Sequence, residues 1–153
     1  MTPWVLYALL AAVSAAFVGI FSKVGIVGID STLATSLRGL IIGLFMGGAA
    51  LFLGKWQAIG ETTPKAFLFI FLAAIAGGLS WLWGFMALKA GGEVSAVNAL
   101  DKLSLLLVVI FAIMFLGEEF TWTKLGGAVM IVIGTIFVSF KPEQIRQIFH
   151  FFS

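Results

Sequence analysis

The chain has 153 residues, of which 61% are hydrophobic and only 10% are charged. Soluble domains are about 45–50% apolar and about 25% charged, so this composition predicts an integral membrane protein. The sequence has no cysteine, which excludes disulfides and thiol chemistry, and its net charge of +2 without a basic run argues against nucleic acid as a partner. The single histidine, His150, cannot form a metal-binding cluster alone, so no metal or other cofactor is expected.

Five apolar segments have about the length that a helix needs to cross a bilayer. They are Pro3–Ser22, Thr32–Leu53, Ala66–Leu88, Val94–Leu116 and Phe120–Phe140. The connections between them are too short for an extramembrane domain, and irregular backbone is not stable against lipid. The sequence therefore predicts an all-α integral membrane protein with five transmembrane helices in the lipid bilayer.

The end of the sequence has a different pattern. After Pro142, apolar residues recur at i, i+3, i+4 and i+7, namely Ile145, Ile148, Phe149 and Phe152. Residues 142–153 are too few to cross a bilayer, which takes about 20 residues. We therefore predict a transmembrane domain at 1–141 and a short amphipathic helix at 142–153 that lies on the membrane surface.

Asp101 and Lys102 lie inside the fourth segment. If the span began after them, at Leu103, only about 15 residues would precede Glu118, too few to cross the bilayer. A charge in the membrane costs about 2.5 kcal/mol or more and usually marks a functional site. Because neighbouring residues lie about 100° apart on a helix, we expect that these two side chains cannot pair with each other and that each has a partner on another helix.

Arg38 lies inside the second segment for the same reason, since residues 39–54 alone are too short. At ~1.5 Å per residue, Arg38, Trp81 and the Asp101-Lys102 pair all lie about 9–11 Å below side B, the membrane side opposite to the N-terminus. Asn98 lies about one turn above Lys102. The sequence thus predicts a substrate-binding layer that contains Arg38, Trp81, Asn98, Asp101 and Lys102.

Within this layer, Arg38 is the first choice of partner for Asp101, with Lys23 or Lys102 of a second copy as the alternatives. A purely structural role is also open, in which the Asp101–Arg38 salt bridge fixes helix positions and Trp81 is an ordinary packing residue. Glu118 and Glu119 follow the fourth segment, where we expect them to set that helix end and the start of the next helix, with a proton-relay role as the alternative.

Two stretches of the sequence resemble a known transporter family. Residues 116–139 read L-G-E-E-F-T-W-T-K-L-G-G-A-V-M-I-V-I-G-T-I-F-V-S, a Leu-Gly-Glu turn that opens a Gly-rich last helix. Residues 87–104 read A-L-K-A-G-G-E-V-S-A-V-N-A-L-D-K-L-S, at the join of the third and fourth segments. With its five segments, the chain resembles a single EamA-type repeat of the drug/metabolite transporter superfamily over essentially its whole length.

The resemblance implies a multi-pass protein of the cell (inner) membrane that transports a small organic solute by alternating access. Larger relatives carry two such repeats in inverted topology, so we expect a homodimer, with an antiparallel arrangement open and a fixed orientation with the C-terminus inside as its main competitor. The related small multidrug resistance family couples to protons through a glutamate in its first helix. The first segment here has no acid, so that mechanism does not carry over.

The hypothesis assigns a role to each polar group. Arg38 and Lys102 would bind an anionic group, Asp101 would pair with one of them or with a substrate amine, and Trp81 would form an aromatic wall. A non-transporting membrane subunit or scaffold, whose charges specify assembly, is the alternative. An enzyme is not expected, since the sequence has no Ser/His/Asp, H-E-x-x-H or Cys/His set.

Overall fold

The computed structural model describes residues 2–140, so the predicted surface helix at 142–153 lies outside the described residues. The elements in chain order are α1 (Pro3–Gly25), α2 (Ser31–Phe52), a 3₁₀-helix (Lys55–Glu61), α3 (Pro64–Lys89), α4 (Val94–Asp101), α5 (Ser104–Leu116) and α6 (Trp122–Ser139). Within 2–140 no residue is in a β-strand. Five stretches of the described residues are long and apolar enough to cross a membrane: α1, α2, α3, Val94–Leu116 and α6. The predicted all-α membrane fold with five spans is confirmed.

Helix starts follow ordinary capping chemistry. Asp30 accepts hydrogen bonds from the backbone N–H groups of Thr32 and Leu33, at 2.8 and 3.2 Å, and so satisfies two donors that α2 leaves unpaired. Thr63 and Thr121 cap α3 and α6 in the same way. These caps place the polar turns outside the apolar stretches and thereby set the bounds of the spans.

The Leu-Gly-Glu turn ends the fourth span through a glycine. Gly117 has a φ of 70°, a left-handed conformation that costs other residues about 1–2 kcal/mol. Glu118 then forms an ion pair with Lys124 in the first turn of α6, with 3.2 Å between Oε2 and Nζ. The acid therefore lies where the sequence places it, at a helix end, and it ties the turn to the next helix.

The connection between α2 and α3 has more structure than the sequence indicated. It contains the 3₁₀-helix, whose Trp56 donates a hydrogen bond from Nε1 to the carbonyl oxygen of Gly47 at 3.1 Å. A β-carbon at Gly47 would lie 4.0 Å from the Trp56 ring, so the indole packs directly on the end of α2. The connection thus folds back on the helix that precedes it.

The predicted fourth helix is interrupted. The backbone N–H groups of Lys102 and Leu103 bond to carbonyls three residues earlier, Ala99 and Leu100, which is the 3₁₀ pattern. The hydroxyl of Thr135, on α6, also donates to the Ala99 carbonyl oxygen at 3.2 Å. A side chain that bonds into the carbonyl ladder is a known cause of helix kinks.

The chain divides into two compact units, Met1–Gly91 and Gly92–Ser153. In the first unit, α3 packs against both α1 and α2. Its most buried side chains include Phe85 and Leu88. In the second unit, α6 packs against α4 and α5. There the buried residues are small, namely Ala112, Ala128 and Thr135, so the helices approach closely.

Candidate functional site

Arg38 and Trp81 are in direct contact in the first unit. The guanidinium carbon of Arg38 lies 4.3 Å from the centre of the Trp81 ring and 5.9 Å from that of Phe85. A cation over an aromatic face is stabilised by about 2 kcal/mol or more when water is excluded. The similar depths predicted for these residues on two antiparallel helices explain why they meet.

Polar contacts at side B hold the three helices around this pair. Lys23 near the end of α1 donates from Nζ to the carbonyl oxygen of Leu88 at 2.9 Å, in the last turn of α3. Lys89 lies 3.9 Å from the Asp30 carboxylate at the start of α2. Cations near a helix C-terminus interact favourably with its dipole. These contacts fix the helix ends that surround Arg38.

The carboxylate of Asp30 lies outside the spans and is held in its charged form. Hydrogen bonds from the backbone of Leu33, and then of Thr32, lower the pKa of Asp30, and the charge of Lys89 adds to the effect. Asp30 is thus committed to capping α2 and to Lys89.

A cleft of about 490 Å³ lies next to Arg38. It is lined by residues of α1, of the turn after it, of α2 and of α3. The lining residues are Val18, Phe21, Ser22, Gly25, Ile29, Ala34, Leu37, Arg38, Ile41, Ile42 and Phe85. All of them except Arg38 and Ser22 are apolar. The volume lies within the roughly 300–1,000 Å³ typical of small-molecule sites. The cleft thus combines an apolar wall with one permanent positive charge.

The sequence missed the contribution of α1 to this cleft. We expected the binding layer to come from the second, third and fourth segments, yet Val18, Phe21 and Ser22 of α1 line the cleft. Nothing charged marks these positions, and an apolar residue in a span looks the same whether it faces lipid or a cleft. The aromatic residues of α1 near side B were the only available signal.

The expectation that Asp101 and Lys102 cannot pair with each other is wrong. Lys102 Nζ lies 3.2 Å from Asp101 Oδ2. Asp101 is the last residue of α4 and Lys102 belongs to the turn before α5, so the 100° offset of a regular helix does not apply. The flexible lysine side chain can then reach back to the carboxylate.

The second unit contains the other predicted site residues. The Asn98 side chain donates from Nδ2 to the carbonyl oxygen of Val94 at 2.8 Å, one turn back on its own helix. Asn98, Asp101 and Lys102 therefore have local partners in the second unit, while Arg38 and Trp81 contact each other in the first. The pairing of Asp101 with Arg38 stays a prediction, because the two residues belong to different units.

An all-α, multi-pass protein with a charged, aromatic-lined cleft in its spans has the features of a membrane carrier. Residues 2–140 match the EamA-like transporter family. A Sinorhizobium protein named "Uncharacterized transporter in cobO 3'region" is 37% identical over 136 residues, which cover 89% of this chain and 96% of that protein. No solved structure gives a significant match. The chain belongs to the EamA-like transporter family, as the resemblance in its sequence predicted.

Proposed function

We propose that the protein is a secondary transporter of the inner membrane, which moves a small organic solute by alternating access and works as a homodimer. The observation that carries this proposal is the position of Arg38. Its guanidinium lies within a membrane span, over an aromatic ring and beside a cleft of ligand size. Charges in spans are costly and usually mark substrate pathways.

In this proposal Arg38 binds an anionic group of the solute, and Trp81 forms an aromatic wall behind the guanidinium. Asn98, Asp101 and Lys102 belong to the other unit, and their part in solute binding stays a prediction from the sequence. The side chains of the Asp101–Lys102 ion pair are exposed, so breaking this pair to bind a charged group of a substrate would cost little free energy.

The five spans of the described residues support the homodimer, because they correspond to one half of the inverted-repeat arrangement that larger transporters use. Two copies in opposite orientation would restore that pseudosymmetry. A parallel dimer is the competitor, because Gly127 and Gly134 of α6 have open space where a β-carbon would lie and could form a smooth contact face.

A non-transporting scaffold remains the second candidate, and the local pairing in the second unit favours it. Asp101 and Lys102 neutralise each other, and Asn98 bonds to its own helix, so these groups need no ligand. Under this alternative the polar residues serve only folding and assembly.

Solute flux in proteoliposomes separates the two candidates. We expect purified protein to accelerate the uptake of at least one solute in a panel of organic acids, amino acids, sugars, nucleosides and drug-like cations. Arg38→Gln should reduce that uptake, whereas Lys55→Gln, a matched loss of charge in the 3₁₀-helix, should not. An absence of flux across the whole panel, with correctly folded protein, would favour the scaffold.

A further inference from the structure

Arg38 has no anionic partner within its unit. The carboxylates of that unit are Asp30, which caps α2 and contacts Lys89, and Glu61, which ends the 3₁₀-helix on the opposite side of the membrane. Among the described residues, the contacts of the Arg38 guanidinium are the faces of Trp81 and Phe85, and it forms no hydrogen bond or ion pair. Its N–H donors are therefore available to a ligand.

The surroundings of the guanidinium limit the ligand's charge. A guanidinium presents parallel N–H donors that match the two oxygens of a carboxylate. A single arginine balances one negative charge, and a second charge would lie uncompensated against apolar walls. An amine would find no acid in the cleft and would be repelled by Arg38.

The walls of the cleft limit the rest of the ligand. Phe21, Leu37 and Ile41 are apolar, and Ser22 is the one lining residue with a hydroxyl group. Such walls favour an apolar body over a sugar or another polyhydroxylated group, which would lose hydrogen bonds to water. At about 490 Å³ the cleft is much larger than a short acid such as acetate needs.

We infer that this cleft binds a small monocarboxylate with an apolar, aromatic or branched body, the carboxylate on Arg38 and the body between α1 and α2. The inference rests on the proposed transport function and assigns its substrate class. The negative headgroup of a membrane lipid offers similar chemistry, but its two acyl chains would extend well beyond the cleft.

Equilibrium binding tests this inference without a transport assay. The protein is placed in nanodiscs of phosphatidylcholine, and binding of radiolabelled 3-phenylpropionate is measured. We expect saturable binding that unlabelled phenylpropionate displaces, whereas acetate, 3-phenylpropionamide, 3-phenylpropylamine and succinate displace it at least tenfold less well. Equal displacement by the neutral amide would overturn the role of charge, and equal displacement by acetate would overturn the role of the apolar body.

Two variants separate the charge from the walls. Arg38→Gln should weaken binding roughly 10- to 100-fold, the range expected for a hydrogen bond to a charged group, and Arg38→Lys less. Ala34→Phe should fill the cleft and weaken binding while the charge stays in place. Lys55→Gln, a charge loss in the 3₁₀-helix outside the cleft, should have little effect. If Lys55→Gln weakens binding as much as Arg38→Gln does, the site is not at Arg38.

A last experiment tests whether an anionic lipid headgroup occupies the cleft. Replacing part of the phosphatidylcholine with phosphatidylglycerol should leave phenylpropionate binding within about threefold, since screening reduces surface effects at physiological salt. If phosphatidylglycerol weakens phenylpropionate binding tenfold or more, and Arg38→Gln removes this effect of the lipid, the occupant of the cleft is a lipid headgroup and the inference is overturned. Flux of another solute without phenylpropionate binding would overturn the inference alone, and binding without any flux would contradict only the transport proposal.

Discussion

The contact between Arg38 and Trp81 stabilises a charge that is costly in a membrane. We expect Trp81→Leu to lower the free energy of unfolding by about 2 kcal/mol more than Trp83→Leu, because a desolvated cation–π contact is worth about that much. Trp83 is a matched control, since it lies on the same helix and the residue is 62% exposed. Steric trapping in bilayers can measure both variants. Equal losses would show that the cation–π contact adds nothing to ordinary packing.

Asp30 gives the first unit a dependence on acid pH. Its pKa is lowered in the folded protein, chiefly by the backbone of Leu33, so its stabilising effect is complete above the unfolded pKa of about 3.9 and is lost as the pH falls through the folded value. Wild-type stability should therefore decrease from about pH 4 downward more steeply than that of Asp30→Asn, which keeps a capping side chain but cannot titrate. Parallel pH profiles of the two proteins would contradict this.

At the scale of single residues, the sequence predicts contacts between regular helices but not contacts at an irregular turn. Arg38 and Trp81 lie on unbroken helices, so counting residues from each helix end places them at a common depth. Asp101 and Lys102 lie where α4 stops. No proline or glycine marks that position, and the hydroxyl of Thr135, which bonds to the Ala99 carbonyl, comes from a helix far away in sequence.

At the scale of the elements, the end of the fourth span depends on Gly117. We expect Gly117→Ala to lower the free energy of unfolding by about 1–2 kcal/mol, because its φ of 70° places a β-carbon too close to the following carbonyl oxygen. Gly48→Ala is the control, since Gly48 lies inside α2 with open space where a β-carbon would be. It should be neutral or stabilising. A smaller effect at Gly117 than at Gly48 would show that the turn does not need a glycine.

The bounds of the elements were predictable to within a few residues where capping groups mark them. Asp30 and Thr63, followed by Pro64, precede apolar runs, and such signals can be read directly from the sequence. The 3₁₀-helix at Lys55–Glu61 carries no such periodicity. Its position depends on the contact of Trp56 with Gly47, a tertiary hydrogen bond that no local pattern reveals.

At the scale of the whole molecule, the insertion of the chain decides between the two dimers. Five spans predict that α1 begins and α6 ends on opposite sides of the membrane. By the same prediction the cations outside the layer are nearly balanced, with Lys55, Lys65 and Lys124 on the side of the N-terminus and Lys23 and Lys89 on side B, while Lys141 and Arg146 follow α6 in the sequence. With so small a difference in positive charge between the two sides, the positive-inside rule predicts no strong preference for either orientation.

We therefore expect two orientations in one membrane. Single cysteines placed at either end of the chain can be probed in intact cells with an impermeant thiol reagent, because the native sequence has no cysteine. Comparable labelling of both ends would support the antiparallel dimer. Labelling of one end alone would show a fixed orientation and favour the parallel dimer, and it would leave the transport proposal standing.

The most direct test of the transport proposal is solute counterflow. Proteoliposomes are loaded with an excess of an unlabelled solute that gave flux, and entry of the labelled solute from outside is followed. A carrier that alternates its access should accumulate label transiently above the outside concentration, and Arg38→Gln should reduce this overshoot while Lys55→Gln preserves it. Equal entry into loaded liposomes with and without the protein would contradict the proposal, as would label entry that never exceeds the outside concentration.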